Sequence, residues 1–201
     1  MSLPFSCWEL TENTVGKCPR VLLWGVSGTG KSRAARKNNT SGSVFSVSLT
    51  EDTPAAELRG HYGLVEGSYK WLDGPCVMAW RQGVRLCLNE LEKASGDAQT
   101  FLLGILDDME IAQQTLPTGE TIYPADGFHV VATMNGHPDQ DLNPALRDRF
   151  PVCIHIDKVA PPAIEKLPAD LRKLPRTAAW SITNSDESAF DLGTSSHACV
   201  T

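Results

Sequence analysis

Eight residues, Gly25-Val26-Ser27-Gly28-Thr29-Gly30-Lys31-Ser32, constrain this chain more than any others. They fill every fixed position of the pattern G-x-x-x-x-G-K-[ST]. A short apolar run, Val21-Leu22-Leu23-Trp24, precedes them, and Arg33-Ala34-Ala35-Arg36-Lys37, of helix-forming composition, follows. The setting is strand, loop and helix. Glycines let the backbone wrap close to a phosphate chain because no Cβ blocks the dihedrals it needs. Successive N–H groups and the helix N-terminus then point at the anion. Lys31 adds a compact positive charge for the β and γ phosphates, and the Ser32 hydroxyl suits Mg²⁺. The plain alternative is a glycine-rich turn before a helix. The filled pattern behind an apolar strand instead predicts a nucleoside triphosphate site, with residues 25–32 and Arg33 as its binding residues.

The rest of the chain alternates strands with helices. Val44–Leu49, Val84–Leu88, Phe128–Met134 and Val152–Ile156 read as further strands, rich in β-branched and apolar residues. Lys31–Lys37, Pro75–Gln82 and Ala98–Glu110 read as helices, the last with Phe101, Leu102, Ile105 and Met109 at helical spacing. Thr53 is a candidate N-cap, with Pro54 at the first helical position. Gly60–Gly74, full of glycines and aromatics, suggests a small hairpin or loop. Pro117-Thr118-Gly119-Glu120 marks a second hairpin within 111–123. Residues 1–19 read as an extended or irregular lead-in. The expected fold class is α/β: a three-layer α/β/α sandwich with a mostly parallel five-stranded sheet and a short C-terminal extension. After Asp157 the pattern dissolves into prolines, short helices near 163–167 and 169–174, and a Ser/Thr-rich tail expected to lack order.

Composition narrows the function classes. A net charge of −6 and a pI of about 5.3 argue against a sequence-independent nucleic-acid binder. The six cysteines are scattered without a C-x-x-C pair, so neither a zinc site nor a disulfide framework is expected, and Cys87 reads as a buried thiol. No signal peptide and no stretch of membrane-spanning length is legible, which makes a cytoplasmic setting the expectation.

Hydrolysis needs more than a phosphate loop: a metal holder, a group for water, and cations for the transferring phosphoryl. Glu90 follows an apolar strand at the sheet edge where the phosphate loop also emerges, so its carboxylate is the candidate base. Asn89, just before it, is the candidate metal-side residue together with Ser32. Its amide oxygen can accept, but it brings no charge. Asn135 ends the fourth strand and can orient water or contact the γ-phosphate; a turn-forming Asn is the alternative. Arg149, with Arg147 second, precedes the last strand and suits phosphoryl charge stabilisation; a salt-bridged surface helix is the alternative. Asp107, Asp108 and Glu110 read as a solvated helix face, and His61, His129, His137 and His155 have no ligand spacing.

Taken in order, the phosphate loop, Leu86-Cys87-Leu88-Asn89-Glu90, Ala132-Thr133-Met134-Asn135 and Leu146-Arg147-Asp148-Arg149-Phe150 resemble the Walker A, Walker B, sensor 1 and arginine-finger elements of AAA+ ATPases. Residues 58–75 resemble the helix-2 insertion of the MoxR and dynein-related branch, which includes the CbbQ and NorQ activators. The hairpin around Pro117–Glu120 resembles that clade's insertion before sensor 1. The resemblance implies an ATP- and Mg²⁺-dependent ATPase core over residues 1–158, with insertions near 60–74 and 111–126. Residues 159–201 would be a shortened lid. It also implies a homo-oligomeric, usually hexameric ring with Arg149 reaching across to a neighbour, and often a von Willebrand A-type partner protein. Two departures stand out: Asn89 takes the place of the Walker B Asp, and the lid is short, with Arg176 in a faint sensor 2 context. The implied function is remodelling or activation of a partner complex. A weakly hydrolysing nucleotide-binding interaction module and a nucleic-acid motor are the alternatives. The second hairpin, without Lys or Arg between Gln113 and Asp126, speaks against the motor.

Overall fold

The computed structural model describes residues 6–37 and 42–160. The short helices expected after residue 160, the tail, Arg176 and most of the loop at 38–43 lie outside the described residues. Numbered along the chain, the helices are α1 (Cys7–Thr14), α2 (Lys31–Arg36), α3 (Ala55–Arg59), α4 (Pro75–Gln82), α5 (Gly96–Ile105), α6 (Pro138–Asp141) and α7 (Pro144–Asp148). The strands are β1 (Arg20–Trp24), β2 (Val44–Ser48), β3 (Gly60–Val65), β4 (Ser68–Asp73), β5 (Arg85–Asn89), β6 (Gln114–Thr115), β7 (Thr121–Ile122), β8 (His129–Met134) and β9 (Val152–His155).

Five strands form one sheet in the order β2-β5-β8-β1-β9, every neighbouring pair parallel. A parallel sheet is covered on both faces, which is why its inner strands read as continuous apolar runs. Alternate residues of each run serve opposite layers. Leu22, Leu86, Leu88, Val130 and Ala132 pack with Leu58, Trp80, Leu102 and Leu146 of α3, α4, α5 and α7. Val21, Leu23, Cys87, Val131 and Ile154 pack on the other side with Val15 and with Ala35 of α2. The expected three-layer sandwich is the fold observed. Among the described residues, no helix is long and apolar enough to cross a membrane.

Three local readings need correction. Residues 7–14 form a helix, where an irregular lead-in was expected. Ser6 Oγ accepts from the Glu9 amide at 3.2 Å, and the Glu9 carboxylate accepts from the Ser6 amide at 2.8 Å. This reciprocal capping box was legible as Ser6-x-x-Glu9. Pro54 is the extended N-cap of α3 and not its first helical residue. Thr53 Oγ1 turns back to accept from the Thr50 amide at 2.9 Å, and the Asp97 carboxylate accepts from the Ala55 amide at 2.8 Å instead. A tertiary contact thus does the capping that the local sequence was expected to do. Finally, α5 ends at Ile105, so Asp107, Asp108 and Glu110 form a turn rather than a helix face. Arg20 fixes that turn, donating to the Asp107 carbonyl at 2.7 Å and pairing with the Asp108 carboxylate.

Two hairpins, β3–β4 and β6–β7, stand apart from the sheet. Arg81, at the end of α4, ties them together. Its Nε donates to Asp73 at 2.8 Å, and its two terminal nitrogens donate to the two Glu120 oxygens at 2.7 Å each. Planar, two-pronged pairing of this kind fixes orientation as well as distance.

Candidate nucleotide site

In a parallel sheet all C-terminal strand ends lie on one edge. Here β8 lies between β5 and β1, so Asn135 emerges between Glu90, which follows β5, and the phosphate loop, which follows β1. Its amide spans the two. Oδ1 accepts from Lys31 Nζ at 3.1 Å, and Nδ2 donates to Glu90 Oε2 at 2.9 Å and to Glu92 Oε1 at 3.3 Å. An ammonium can only donate and a carboxylate can only accept, so this orientation of the amide is the one the network allows.

The phosphate loop is a cradle built on glycine. Gly25 has φ +132°, and a Cβ there would stand 2.5 Å from the Ile156 carbonyl oxygen. The chain after β9 closes over the loop: the Ile156 amide donates to the Trp24 carbonyl at 2.8 Å and the Ala160 amide to the Thr29 carbonyl at 3.0 Å. Val26, Ser27 and Gly28 remain open to solvent, while Thr29 is buried and donates to the Val26 carbonyl at 3.1 Å. Lys31 is only 6% exposed, and its ammonium also donates to the Gly25 and Val26 carbonyls, each at 2.8 Å. Burial draws its pKa below the usual lysine range, against the opposing charges of Glu90 and Glu92. Ser32, half-buried, and Arg33, exposed, follow in the first turn of α2.

Glu90 sits in the left-handed region, φ +58° and ψ +48°, which few side chains other than Asn and Asp adopt readily. This bend turns the chain at the end of β5 and brings Glu90 and Glu92 together beside Asn135. Burial pushes the Glu90 pKa up. The Lys93 ammonium at 2.9 Å, the Asn135 amide and the Lys31 charge outweigh this and hold it below the usual carboxylate value. Glu90 is therefore ionised at neutral pH, the state a general base requires.

Asn89 serves the sheet. Its Nδ2 donates to Ser46 Oγ and to the Val47 carbonyl, both at 3.1 Å, and its Oδ1 accepts from Thr133 Oγ1 at 3.3 Å. Glu92 was not legible as a site residue. Its Oε1 accepts from both the Asn135 amide N–H at 3.1 Å and the Asn135 side chain, while Oε2 is buried and finds no hydrogen-bond partner among the described residues. Only its place two residues after Glu90 pointed to it.

Arg149 is not brought to this cluster. Val152 starts β9 beside Val21, whereas the phosphate loop follows Trp24, so Arg149 lies toward the opposite edge of the sheet. There it pairs with Asp107 at 3.3 Å. Arg147 donates to Asp139 at 3.1 Å and to the Phe150 carbonyl at 3.3 Å. Neither arginine contacts its own chain's phosphate loop.

A cavity of about 370 Å³ adjoins the loop, walled by Trp8, Val15, Gly30, Arg33, Ala34 and Ala160. Trp8 Nε1 donates to the Lys158 carbonyl at 3.0 Å, so α1 and the segment after β9 close it together. Sequence reasoning missed this compartment because α1 was not expected to be a helix. Among the described residues no group of three or more His, Cys, Asp or Glu side chains is arranged to hold a metal. The donor set suits a cation carried in on phosphates, where the protein adds only one or two ligands.

A profile of the AAA domain, dynein-related subfamily, matches residues 20–150. Protein NorQ of Paracoccus denitrificans is 38% identical over 141 residues, covering 65% of this chain and 50% of NorQ. An uncharacterised Staphylococcus aureus protein is 32% identical over 149 residues, 69% of this chain and 56% of its own. The chain thus spans about half the length of the curated relatives it matches. A crystal structure from Cytophaga hutchinsonii superposes with a TM-score of 0.56 at 19% identity, over 84% of this chain and 50% of the other, a likeness of fold alone. By its matched profile, its NorQ-like sequence and the parallel sheet that carries the phosphate loop, the chain belongs to the dynein-related subfamily of AAA+ ATPases.

Proposed function

We propose that the protein binds ATP with Mg²⁺ at residues 25–33, hydrolyses it, and uses the cycle to remodel or activate a partner protein complex in the manner of MoxR-like proteins. The observation that carries this reading is the Asn135 amide, which links the Lys31 ammonium to the Glu90 carboxylate. A group in contact with both the phosphate-binding cation and the candidate base is placed to sense the γ-phosphate and to hold the base in register.

Loop N–H groups and Lys31 hold the β and γ phosphates, and Arg33 and Trp8 bound the compartment that accepts the base and ribose. Ser32 contributes its hydroxyl to Mg²⁺, and Asn89 contributes only a neutral amide oxygen already shared with Thr133. Held there by Ser32 and the phosphates, Mg²⁺ would supply positive charge to offset that of the phosphate oxygens. Glu90, ionised, accepts from the attacking water while Asn135 keeps the carboxylate aimed. Arg149, at the far edge of the sheet, serves a neighbouring subunit's site and Arg147 steadies the segment before it. This requires a ring, hexameric by the resemblance, whose hairpins β3–β4 and β6–β7 face a partner such as a von Willebrand A-type protein.

A second reading, a nucleotide-binding module with slow turnover, is favoured by the engagement of Asn89 in the sheet. Phosphate release measured against protein concentration tests the first reading. Specific activity that rises with concentration and is absent from Glu90→Gln supports it. Tight ATP binding with wild-type turnover no greater than that of Glu90→Gln overturns it in favour of the second.

A further inference from the structure

We propose that Glu92, through Oε2, supplies the anionic oxygen for nucleotide-bound Mg²⁺ that Asn89 does not. This rests on the nucleotide-binding reading above and assigns the metal side of that site. Magnesium is a hard cation that binds carboxylate oxygens directly or through its waters. Asn89 is neutral, and both N–H groups of its amide are spent on Ser46 and Val47. An aspartate in its place would turn an anionic oxygen toward the Val47 carbonyl oxygen. The sheet therefore uses Asn89 as a donor, a task a carboxylate cannot perform.

The missing charge stands two residues on. Glu92 and Glu90 are the carboxylates whose charges act on Lys31. Glu90 Oε2 already accepts from Asn135 Nδ2 and from the Lys93 ammonium, both at 2.9 Å. Glu92 differs: Oε1 is clamped by the backbone and side chain of Asn135, and that double grip holds Oε2 in place, buried and without a donor among the described residues. A buried carboxylate oxygen left unpaired costs free energy on the scale of a lost charged hydrogen bond. A cation or its bound water restores that balance only when nucleotide brings it in.

The test is Mn²⁺ binding to the full chain, read by electron paramagnetic resonance in the presence of saturating ADP, beside ADP affinity measured in EDTA. Glu92→Gln keeps an acceptor for Asn135 and removes the charge, Glu92→Asp keeps the charge, and thermal melts check that each variant folds. The expected result is at least a tenfold weaker Mn²⁺ affinity in Glu92→Gln, with metal-free ADP affinity within about twofold of wild type. Glu92→Asp should recover part of the loss. Unchanged Mn²⁺ affinity in Glu92→Gln overturns the proposal and leaves Oε2 to an ordered water only. Equal losses of metal-free and metal-loaded binding in Glu92→Gln and Asn135→Ala also overturn it, making Glu92 no more than a clamp. A wild-type chain that binds no ADP at all refutes the parent reading instead.

Discussion

Lys31 Nζ donates to Asn135 Oδ1 at 3.1 Å, so the lysine that follows the glycine-rich loop and the residue that follows β8 are joined directly. The contact exists because β8 is the neighbour of β1 in the sheet. Asn135 is set across from Lys31 by register, and it passes the contact on to Glu90 and Glu92 through its other amide atom.

Replacing Asn135 with Asp tests that relay. The new carboxylate faces Glu90 and Glu92 where an N–H group stood, and like charges at this range cannot all remain ionised. Single-turnover hydrolysis should fall by about 10²-fold or more, the scale of losing a positioned base. ATP affinity should change much less. Equal loss of both would mean that Asn135 only supports the loop.

Lys31→Ala removes the ammonium that donates to the Gly25 and Val26 carbonyls and that is proposed to hold the phosphates. Calorimetry should find ATP affinity lower by at least tenfold, about 1.4 kcal/mol. Binding within twofold of wild type would place the nucleotide elsewhere.

His129 makes stability depend on pH. Its Nδ1–H donates to the Gly127 carbonyl at 2.8 Å and its Nε2 accepts from the buried Arg85 at 2.8 Å, so the folded protein holds the ring neutral. Burial lowers its pKa, the Gly127 contact opposes that, and the Arg85 charge adds to the lowering. Below about pH 6.5 the unfolded chain takes up a proton that the folded chain does not. This contribution to stability is therefore complete above that pH and is lost as pH falls toward the lower folded value. Melting temperatures measured from pH 7.5 to 5 should decline, and His129→Gln should flatten the decline. An identical slope in the variant would assign it to other groups.

Arg81→Ala should uncouple the two hairpins. Hydrogen exchange should quicken at least severalfold in residues 60–73 and 114–122 together, while β1, β5 and β8 keep their protection. Faster exchange in one hairpin alone would show that Arg81 does not link them.

Much of this architecture was legible because the sheet is parallel. The apolar runs of β1, β5 and β8 and the filled phosphate-loop pattern place Lys31, Glu90 and Asn135 on one edge from the sequence alone. What escaped was set by tertiary contact. The reach of Glu92 depends on the left-handed turn at Glu90, which no propensity for Glu foretells. The cap of α3 comes from Asp97, 42 residues away along the chain. The end of α5 is fixed by Arg20 through a contact 87 residues apart. The missed α1 is different, since Ser6-x-x-Glu9 carried its signal locally. The cavity beside the phosphate loop was hidden with it, because Trp8 has no reason to line it unless residues 7–14 are helical.

In the proposed ring each site is shared between neighbours, with Glu90 from one subunit and Arg149 from the next. This sharing is tested most directly by mixing two inactive variants, Glu90→Gln and Arg149→Ala. Each alone should hydrolyse ATP at background rate. In a mixed ring, roughly a quarter of the interfaces pair an intact Glu90 with an intact Arg149, so mixing should restore hydrolysis well above either variant. Activity that stays at background after mixing, with both variants folded and binding ATP, would contradict the account.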